Sequence, residues 1–381
     1  MKDVIVVGGG PAGAALAYRL AARGLSVLLL EKSSVPRFKS CAGGITRKAV
    51  RELNFDLSPL IEEEISRFIF TANLEHPVEA ATREAAVYTV SREKFDAFLL
   101  MKAASAGAEV ITGAAVRKIE RQGRAFLVRA DSGRYRGKII AGADGARSMV
   151  ARSFGLEGAR IHGTTLECHL APPPGKEGRF RGTIHVDYGL LRQGYAWLFP
   201  KGSSLSLGAG ALPGSPGEIR SALKKLQEAL ELERAELLLP ARGWLLPFQP
   251  ALRRLHDGAV LLLGDAAGLV DPFTGEGIYN ALRSARLAEK VIVEEIRRPS
   301  PNLRRYSDLV RKEMGPELAA AWRLVRLLSG RASLYHQLLQ RHPQFAAGFL
   351  ELLSGECGYP QFLRRCLKLL LSEGLYLPQR R

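Results

Sequence analysis

The residues of this chain with chemical potential sit on three widely separated glycine turns. Glycines at 8, 10 and 13 follow a short apolar run at residues 4–7 and precede a helical stretch over residues 14–24. A tight turn at Gly8 suits only a residue without a side chain, Gly10 lets backbone approach a pyrophosphate, and Gly13 lets the helix pack closely on the strand. The helix N-terminus then offers free N–H groups and a positive dipole end to phosphates. A second apolar strand, residues 25–30, ends at Glu31, whose carboxylate can accept hydrogen bonds from a ribose. Far downstream, the apolar run at 260–263 delivers Asp265 to a strand's C-terminal end, where ligands bind in open α/β sheets. A carboxylate there can hold the hydroxyls of a ribityl chain. Gly275-Glu276-Gly277-Ile278 opens a further helix beside the same place. Its dipole favours the negative charge of a reduced flavin's pyrimidine edge, by about 0.3–1 kcal/mol if exposed and up to about 2 when partly buried. The first turn alone leaves NAD and FAD open; the three segments together, in this order, point to FAD.

Those turns need a sheet that brings strand ends together, so the pattern predicts a Rossmann-type α/β domain interrupted by a second, mainly antiparallel sheet. Residues 67–72, 78–82 and 86–90 read as short strands that start the second sheet, and residues 161–170, 183–186, 194–199 and 204–211 continue it. Thr46 can cap a helix running to about residue 54. A helix from 91 supplies Phe95, Phe98, Leu99 and Ala103 as one face, and Asp144 follows the strand at 135–141 in a turn. Residues 303–381 read as helices separated at Gly330, Pro343 and Pro360. The expected division is an FAD-binding domain from 1–60, 91–158 and 251–300, a substrate domain from 61–90 and 159–250, and a C-terminal helical region, 301–381.

Composition narrows the partners. With 381 residues and 46% hydrophobic content the chain can bury a full core. Lys and Arg outnumber Asp and Glu by 55 to 38, a net charge of +17, which favours acidic partners: nucleic acid, anionic lipid headgroups or a diphosphate substrate. No nucleic-acid recognition motif accompanies the charge, so nucleic acid is not expected. The four cysteines, Cys41, Cys168, Cys357 and Cys366, are scattered without a C-x-x-C, which argues against a disulfide framework, an iron–sulfur cluster or another metal site. No apolar run reaches the ~18 residues of a membrane span. A strand starting at residue 3 leaves no room for a signal peptide, so the expectation is a cytoplasmic monomer, able to associate peripherally with the inner face of an anionic membrane. Residues 362–377 form a basic amphipathic helix, with Leu363, Leu367, Leu370, Leu371 and Gly374 on one side and Arg364, Arg365 and Lys368 off it. Such a helix covers a core or lies in a lipid interface.

The three turns resemble those of the glutathione-reductase-like FAD superfamily. Asp144-Gly145 with Arg147-Ser148 is similar to the middle motif of its p-hydroxybenzoate-hydroxylase-like group. Gly194-Tyr195-Ala-Trp197-Leu-Phe199-Pro200 resembles the Tyr-x-Trp-x-Phe-Pro signature of geranylgeranyl reductases, and Lys39-x-Cys41-x-Gly43-Gly44 that family's cysteine-glycine turn. The resemblance covers roughly residues 1–300. It implies FAD contacts at Ala12, Glu31, Cys41, Ala42, Gly44, Arg92, Val116, Asp265, Gly277 and Ile278. Ala42 stands where the family usually has Gly, so a methyl group enters a close backbone contact. Cys41 could donate a proton or simply pack.

On a strand, Tyr195, Trp197 and Phe199 share one face and make an aromatic wall that suits either an unsaturated hydrocarbon chain or ordinary core. The resemblance favours a substrate cavity and implies FAD-dependent reduction of isoprenoid C=C bonds: geranylgeranyl diphosphate, an isoprenoid ether lipid or a prenylquinone side chain. No second dinucleotide fingerprint is present, so NAD(P)H binds over the flavin near Asp144 and Arg92, or a reduced iron–sulfur carrier brings the electrons. Two other classes stay open. One is a flavin monooxygenase or halogenase, although halogenases of this group carry Trp-x-Trp-x-Ile-Pro and a downstream lysine, and this chain has none between Lys48 and Lys94. The other is an electron-transfer module feeding membrane quinone.

Overall fold

The computed structural model describes residues 1–375. Its centre is the strand Lys2–Val7, which pairs in parallel with Val27–Leu30 on one side and Gly133–Gly142 on the other. Val260–Leu262 and Glu109–Ile111 extend the sheet outward, both in parallel. Strands buried on both faces read as unbroken apolar runs rather than alternating ones. Val4, Ile5, Val6, Leu28 and Leu29 are accordingly fully buried, each contributing about 1.5–3 kcal/mol relative to an exposed side chain. The helices Pro11–Ala21, Arg92–Ser105 and Ile278–Glu295 pack beside one another and the sheet. A ribbon of Val116–Gln122 and Ala125–Ala130 hangs from Gly133–Gly142.

Register explains the site. Val7 lies opposite both Leu30 and Gly142, and Gly142 opposite Leu262. Four parallel strands therefore end in one line. Gly8, Glu31, Ala143-Asp144 and, one residue further on past Leu263, Gly264-Asp265 follow those ends, though they are remote in sequence.

The second sheet has seven strands, in the order Leu237–Phe248, Ile161–Leu170, Ser204–Ala211, Gly194–Lys201, Thr183–Asp187, Arg67–Ala72 and Glu75–Ala81. Every pairing is antiparallel except that of Thr183–Asp187 with Arg67–Ala72. Two expectations are corrected. Val87–Val90 does not join this sheet but forms a small one with Gly44–Thr46 and Ile61–Ile65. The helix capped by Thr46, whose Oγ1 accepts from the Ala49 N–H, stops at Val50. The long strand Leu237–Phe248 carries Pro240, Gly243 and Pro247 and lies on the sheet edge, where prolines are tolerated.

Beyond the Rossmann sheet come Arg304–Glu313, Gly315–Leu328, Ala332–Arg341, Gln344–Ser354 and Tyr359–Ser372. Breaks fall at Gly330 and Pro343 as the sequence predicts. Pro360 instead sits inside the first turn of its helix, where its missing N–H costs nothing. The expected end of the tail helix, residues 376–377, lies outside the described residues. Among the described residues no helix is long and apolar enough to cross a membrane.

Candidate active site

The strand ends open on a cavity of about 990 Å³. At the first turn the three glycines differ in what surrounds them. A methyl group on Gly8 would lie 2.3 Å from the Ala143 carbonyl oxygen, and one on Gly13 only 1.9 Å from that of Gly8. Those two positions bring strand and helix together. A methyl group on Gly10 would meet nothing within 4 Å; its open space faces the cavity, which Gly8, Gly10 and Ala12 line while Gly13 lies behind. Glu31, 4% exposed, accepts the Gly9 N–H at 2.7 Å and the Ser33 N–H at 3.0 Å. Its carboxylate is thereby held at the cavity wall.

Across the line of strand ends, Asp265 also faces the cavity. Among the described residues no protein group donates a hydrogen bond to its carboxylate. Burial pushes its pKa up, opposed by the positive charges of Lys39 and Arg92. An acceptor facing open space, the open ledge at Gly10 and the fixed Glu31 carboxylate match the hydroxyls and pyrophosphate of FAD. Gly275, Gly277 and Ile278 complete that side, Gly277 standing at the start of Ile278–Glu295. Beneath them Glu276 accepts from Thr46 Oγ1 and pairs with Lys48 at 3.0 Å.

Asp144 is placed differently. Its carboxylate accepts from Ser148 Oγ at 2.5 Å, Met149 N at 2.6 Å and Val150 N at 3.2 Å. It thus joins the N-cap residue Ser148 in capping the short helix Met149–Ser153. Asp144 lines the cavity, but its carboxylate is already occupied.

The loop at residues 37–44 forms the opposite lip, with Lys39, Cys41, Ala42 and Gly44 lining the cavity. Gly43 takes a φ of +76°, and a methyl group there would sit 2.2 Å from the Val90 carbonyl oxygen. The loop rests on buried charge. Arg92 makes a two-pronged pair with Asp96, Nε to Oδ1 at 2.8 Å and Nη2 to Oδ2 at 3.0 Å. Arg37 reaches Asp96 at 3.2 Å and Glu31 at 3.4 Å. Arg92, beside Cys41, is held charged by Asp96 against the pull of burial. Val116 lines the wall nearby.

Lys39, whose Nζ lies 3.2 Å above the Trp244 ring, is the unexpected member. Burial pushes its pKa from an ordinary 10.5 down to about 7, with Asp265 pulling the other way. The unfolded chain therefore binds more protons than the fold between about pH 7 and 10.5, so this group's destabilisation is full below pH 7 and fades as pH rises. FAD-free Lys39→Met protein is expected to melt several degrees above wild type at about pH 6, the gap closing toward about pH 10. Thermal unfolding across that range checks it; a gap independent of pH would refute the shift.

Tyr195, Trp197 and Phe199 do line the same cavity. The Tyr195 hydroxyl donates to the Thr274 carbonyl and locks the ring against the Gly275 turn. Trp197 lies over Gly208, where a methyl group would come within 2.3 Å of its ring. Among the described residues its buried Nε1 has no hydrogen-bond partner. Phe199 packs on Gly44, 2.9 Å from a methyl group placed there. Pro200 is not part of the wall: it points away, and its carbonyl accepts from Thr89 Oγ1 at 2.8 Å.

Sequence reading missed the facing wall. It comes from the C-terminal helices: Leu328, Leu338, Ala346, Phe349, Phe362 and Leu370 border the cavity. On the last helix the cavity face is Phe362, Cys366, Leu369 and Leu370, spaced i, i+4, i+7, i+8. That spacing was a usable signal. The expected stripe is rotated from it, because Leu371 is 66% exposed and Leu363 packs into a helix cluster with Leu324. Tyr188 also lines the cavity. His336 Nε2 donates to the His76 carbonyl at 2.6 Å, so in the neutral ring Nδ1 accepts from the Tyr188 hydroxyl, also at 2.6 Å.

Comparison with known proteins agrees with this geometry. Residues 1–172 match the model of a family described as an FAD binding domain. Digeranylgeranylglycerophospholipid reductase 1 of Methanopyrus kandleri is 31% identical over 341 residues, 86% of this chain and 90% of that protein. The geranylgeranyl diphosphate reductase of Rhodobacter capsulatus is 30% identical over 313 residues, 78% of this chain and 77% of that protein. The crystal structure of a geranylgeranyl bacteriochlorophyll reductase-like protein from Thermoplasma acidophilum aligns at a TM-score of 0.79 and 21% identity, covering 97% of this chain and 99% of that one. The fold is therefore a Rossmann-type FAD-binding fold with a second antiparallel sheet and C-terminal helices, and the chain belongs to the geranylgeranyl reductase family of FAD-dependent oxidoreductases.

Proposed function

We propose that this protein reduces C=C bonds of an isoprenoid chain laid in the cavity between the second sheet and the C-terminal helices. The observation that carries the reading is the continuity of that cavity: Asp265 and Gly277 line it together with Trp197, Phe349 and Leu370. When bound and reduced, by NAD(P)H or a reduced iron–sulfur carrier, FAD supplies a hydride to one alkene carbon. The protein's part is to hold the alkene and keep water out. Tyr195 and Trp197, with ring centroids 5.5 Å apart, give the chain a fixed wall, and Leu338 and Phe349 press from the other side. The second carbon needs a proton, for which Cys41 is the candidate: its thiol lines the flavin end beside Arg92. Cys366 also lines the cavity, but burial pushes its thiol up to about 12. The exposed Leu371 among Arg364, Arg365 and Lys368 supports peripheral contact with anionic lipid.

The test is a panel of geranylgeranyl diphosphate, an isoprenoid ether phospholipid and a prenylquinone, each incubated anaerobically with the reduced protein. Mass spectrometry should find at least one of them saturated, two hydrogens per double bond. No saturated product from any, with flavin reduction and reoxidation intact, would overturn the reading; an oxygenated product under air would replace it with monooxygenation.

A further inference from the structure

An open surface depression adjoins the cavity, with Arg192, Ser329 and Ala332 belonging to both walls. Beyond them its lining changes to Asn73, Gly189, Arg331 and Ser333. The cavity is apolar where it approaches this junction, through Leu327 and Leu328. Among the described residues the depression's lining carries two guanidinium groups and no carboxylate.

Neither arginine is neutralised. Among the described residues neither Arg192 nor Arg331 forms an ion pair. Arg331 has only the Leu327 carbonyl, at 3.5 Å, and the Tyr335 hydroxyl near it. Asp187, which accepts from the lining residue Gly189, is committed elsewhere. Its carboxylate accepts from Thr71 Oγ1 and from the N–H groups of Leu74, Gly189 and Leu190, all at 2.7 to 2.9 Å. The Arg192 strand–loop and the Arg331 turn are tied by the Gly330 N–H to the Arg192 carbonyl, 3.2 Å, and by Gln193 Nε2 to Ser329 Oγ, 2.7 Å. The two charges are thus held on one rim. The helix Ala332–Arg341 also starts there and adds the positive end of its dipole.

Two unpaired, planar cations at the mouth of an oily tunnel fit an amphiphile with an anionic head. We infer that Arg192 and Arg331 bind the phosphate-bearing head of the isoprenoid substrate, whose chain runs inward past Leu328 and Tyr335 to the Tyr195–Trp197–Phe199 wall. The inference rests on the isoprenoid reading above and narrows it: a neutral quinone head would leave both guanidinium groups without a partner.

The FAD-loaded protein and its Arg192→Ala/Arg331→Ala variant are titrated calorimetrically with inorganic pyrophosphate. Affinity is expected to fall at least about tenfold in the variant. Kinetics with the reduced protein then separate the sources of phosphate. KM should rise about 10- to 100-fold for geranylgeranyl diphosphate, for an isoprenoid ether phospholipid, or for both, with kcat within about threefold. The larger rise identifies the native head, and the KM for geranylgeraniol, which lacks phosphate, should stay put. Arg192→Gln, at an exposed position, guards against a folding defect in the double variant and should show the same trend. Equal pyrophosphate affinity in variant and wild type, no pyrophosphate binding to wild type, or an equal KM rise for geranylgeraniol would each overturn the assignment. If nothing is reduced at all, the reductase reading fails, and the pyrophosphate titration still decides this one.

Discussion

A Gly10→Val variant should fold and melt like FAD-free wild type, yet bind FAD at least about a hundredfold more weakly, some 2.7 kcal/mol. The reason is local. Gly10 has ordinary extended backbone angles that any residue adopts, and among the described residues a methyl group there would meet nothing within 4 Å. What a side chain would fill is the open space at the start of Pro11–Ala21, where we propose that the FAD pyrophosphate binds. Gly13→Ala is the contrasting control. Its methyl group would sit 1.9 Å from the Gly8 carbonyl oxygen, so helix and strand must part, at a cost of about 1–3 kcal/mol in folding stability. The pair separates a ligand contact from a packing contact within one motif. Circular dichroism, melting curves and flavin fluorescence titration read both. A Gly10→Val protein that keeps wild-type FAD affinity would remove the pyrophosphate from this turn.

The second large effect concerns the tunnel. Ala346, buried on the helix Gln344–Ser354, lines the cavity within a cluster that includes Phe68, Phe70 and Leu350. Ala346→Phe should leave FAD content unchanged and lower kcat/KM for a twenty-carbon isoprenoid by about a hundredfold. A ten-carbon chain, which fills less of the cavity, should lose less than about fivefold. Packing density in protein interiors is high enough that an added ring blocks a channel rather than being absorbed. Equal losses for both chain lengths would mean that the substrate does not pass Ala346.

The sequence was legible where the backbone itself is constrained. Gly8, Gly13 and Gly43 stand where an added methyl group would collide with a carbonyl oxygen, and such positions show as glycine whatever surrounds them. Buried strands such as Val4–Val7 show because both faces are covered. The edge strand Leu237–Phe248 did not show, since an edge tolerates Pro240 and Pro247 and leaves Leu237 and Leu238 exposed, so no alternation marks it. The C-terminal wall was missed for a different reason. Periodicity tells which face of a helix is apolar, not whether that face meets another helix or a cavity. Leu363 and Phe362 are neighbours in sequence and equally buried, and only the second borders the cavity. Arg192 and Arg331 likewise meet only through tertiary structure. Asp144 carries a second role that its motif does not reveal, since its carboxylate, besides lining the cavity, accepts from Ser148 and from the Met149 and Val150 N–H groups.

The most direct measurement is a single turnover without oxygen. Protein reduced to one equivalent of its flavin is mixed with the isoprenoid that the substrate panel identifies, and flavin absorbance is followed while product is analysed by mass. The account predicts that substrate alone reoxidises the flavin, with one double bond saturated for each flavin oxidised, and that the Ala346→Phe variant does this slowly. Flavin that stays reduced until air is admitted, with product gaining oxygen instead of hydrogen, would contradict it.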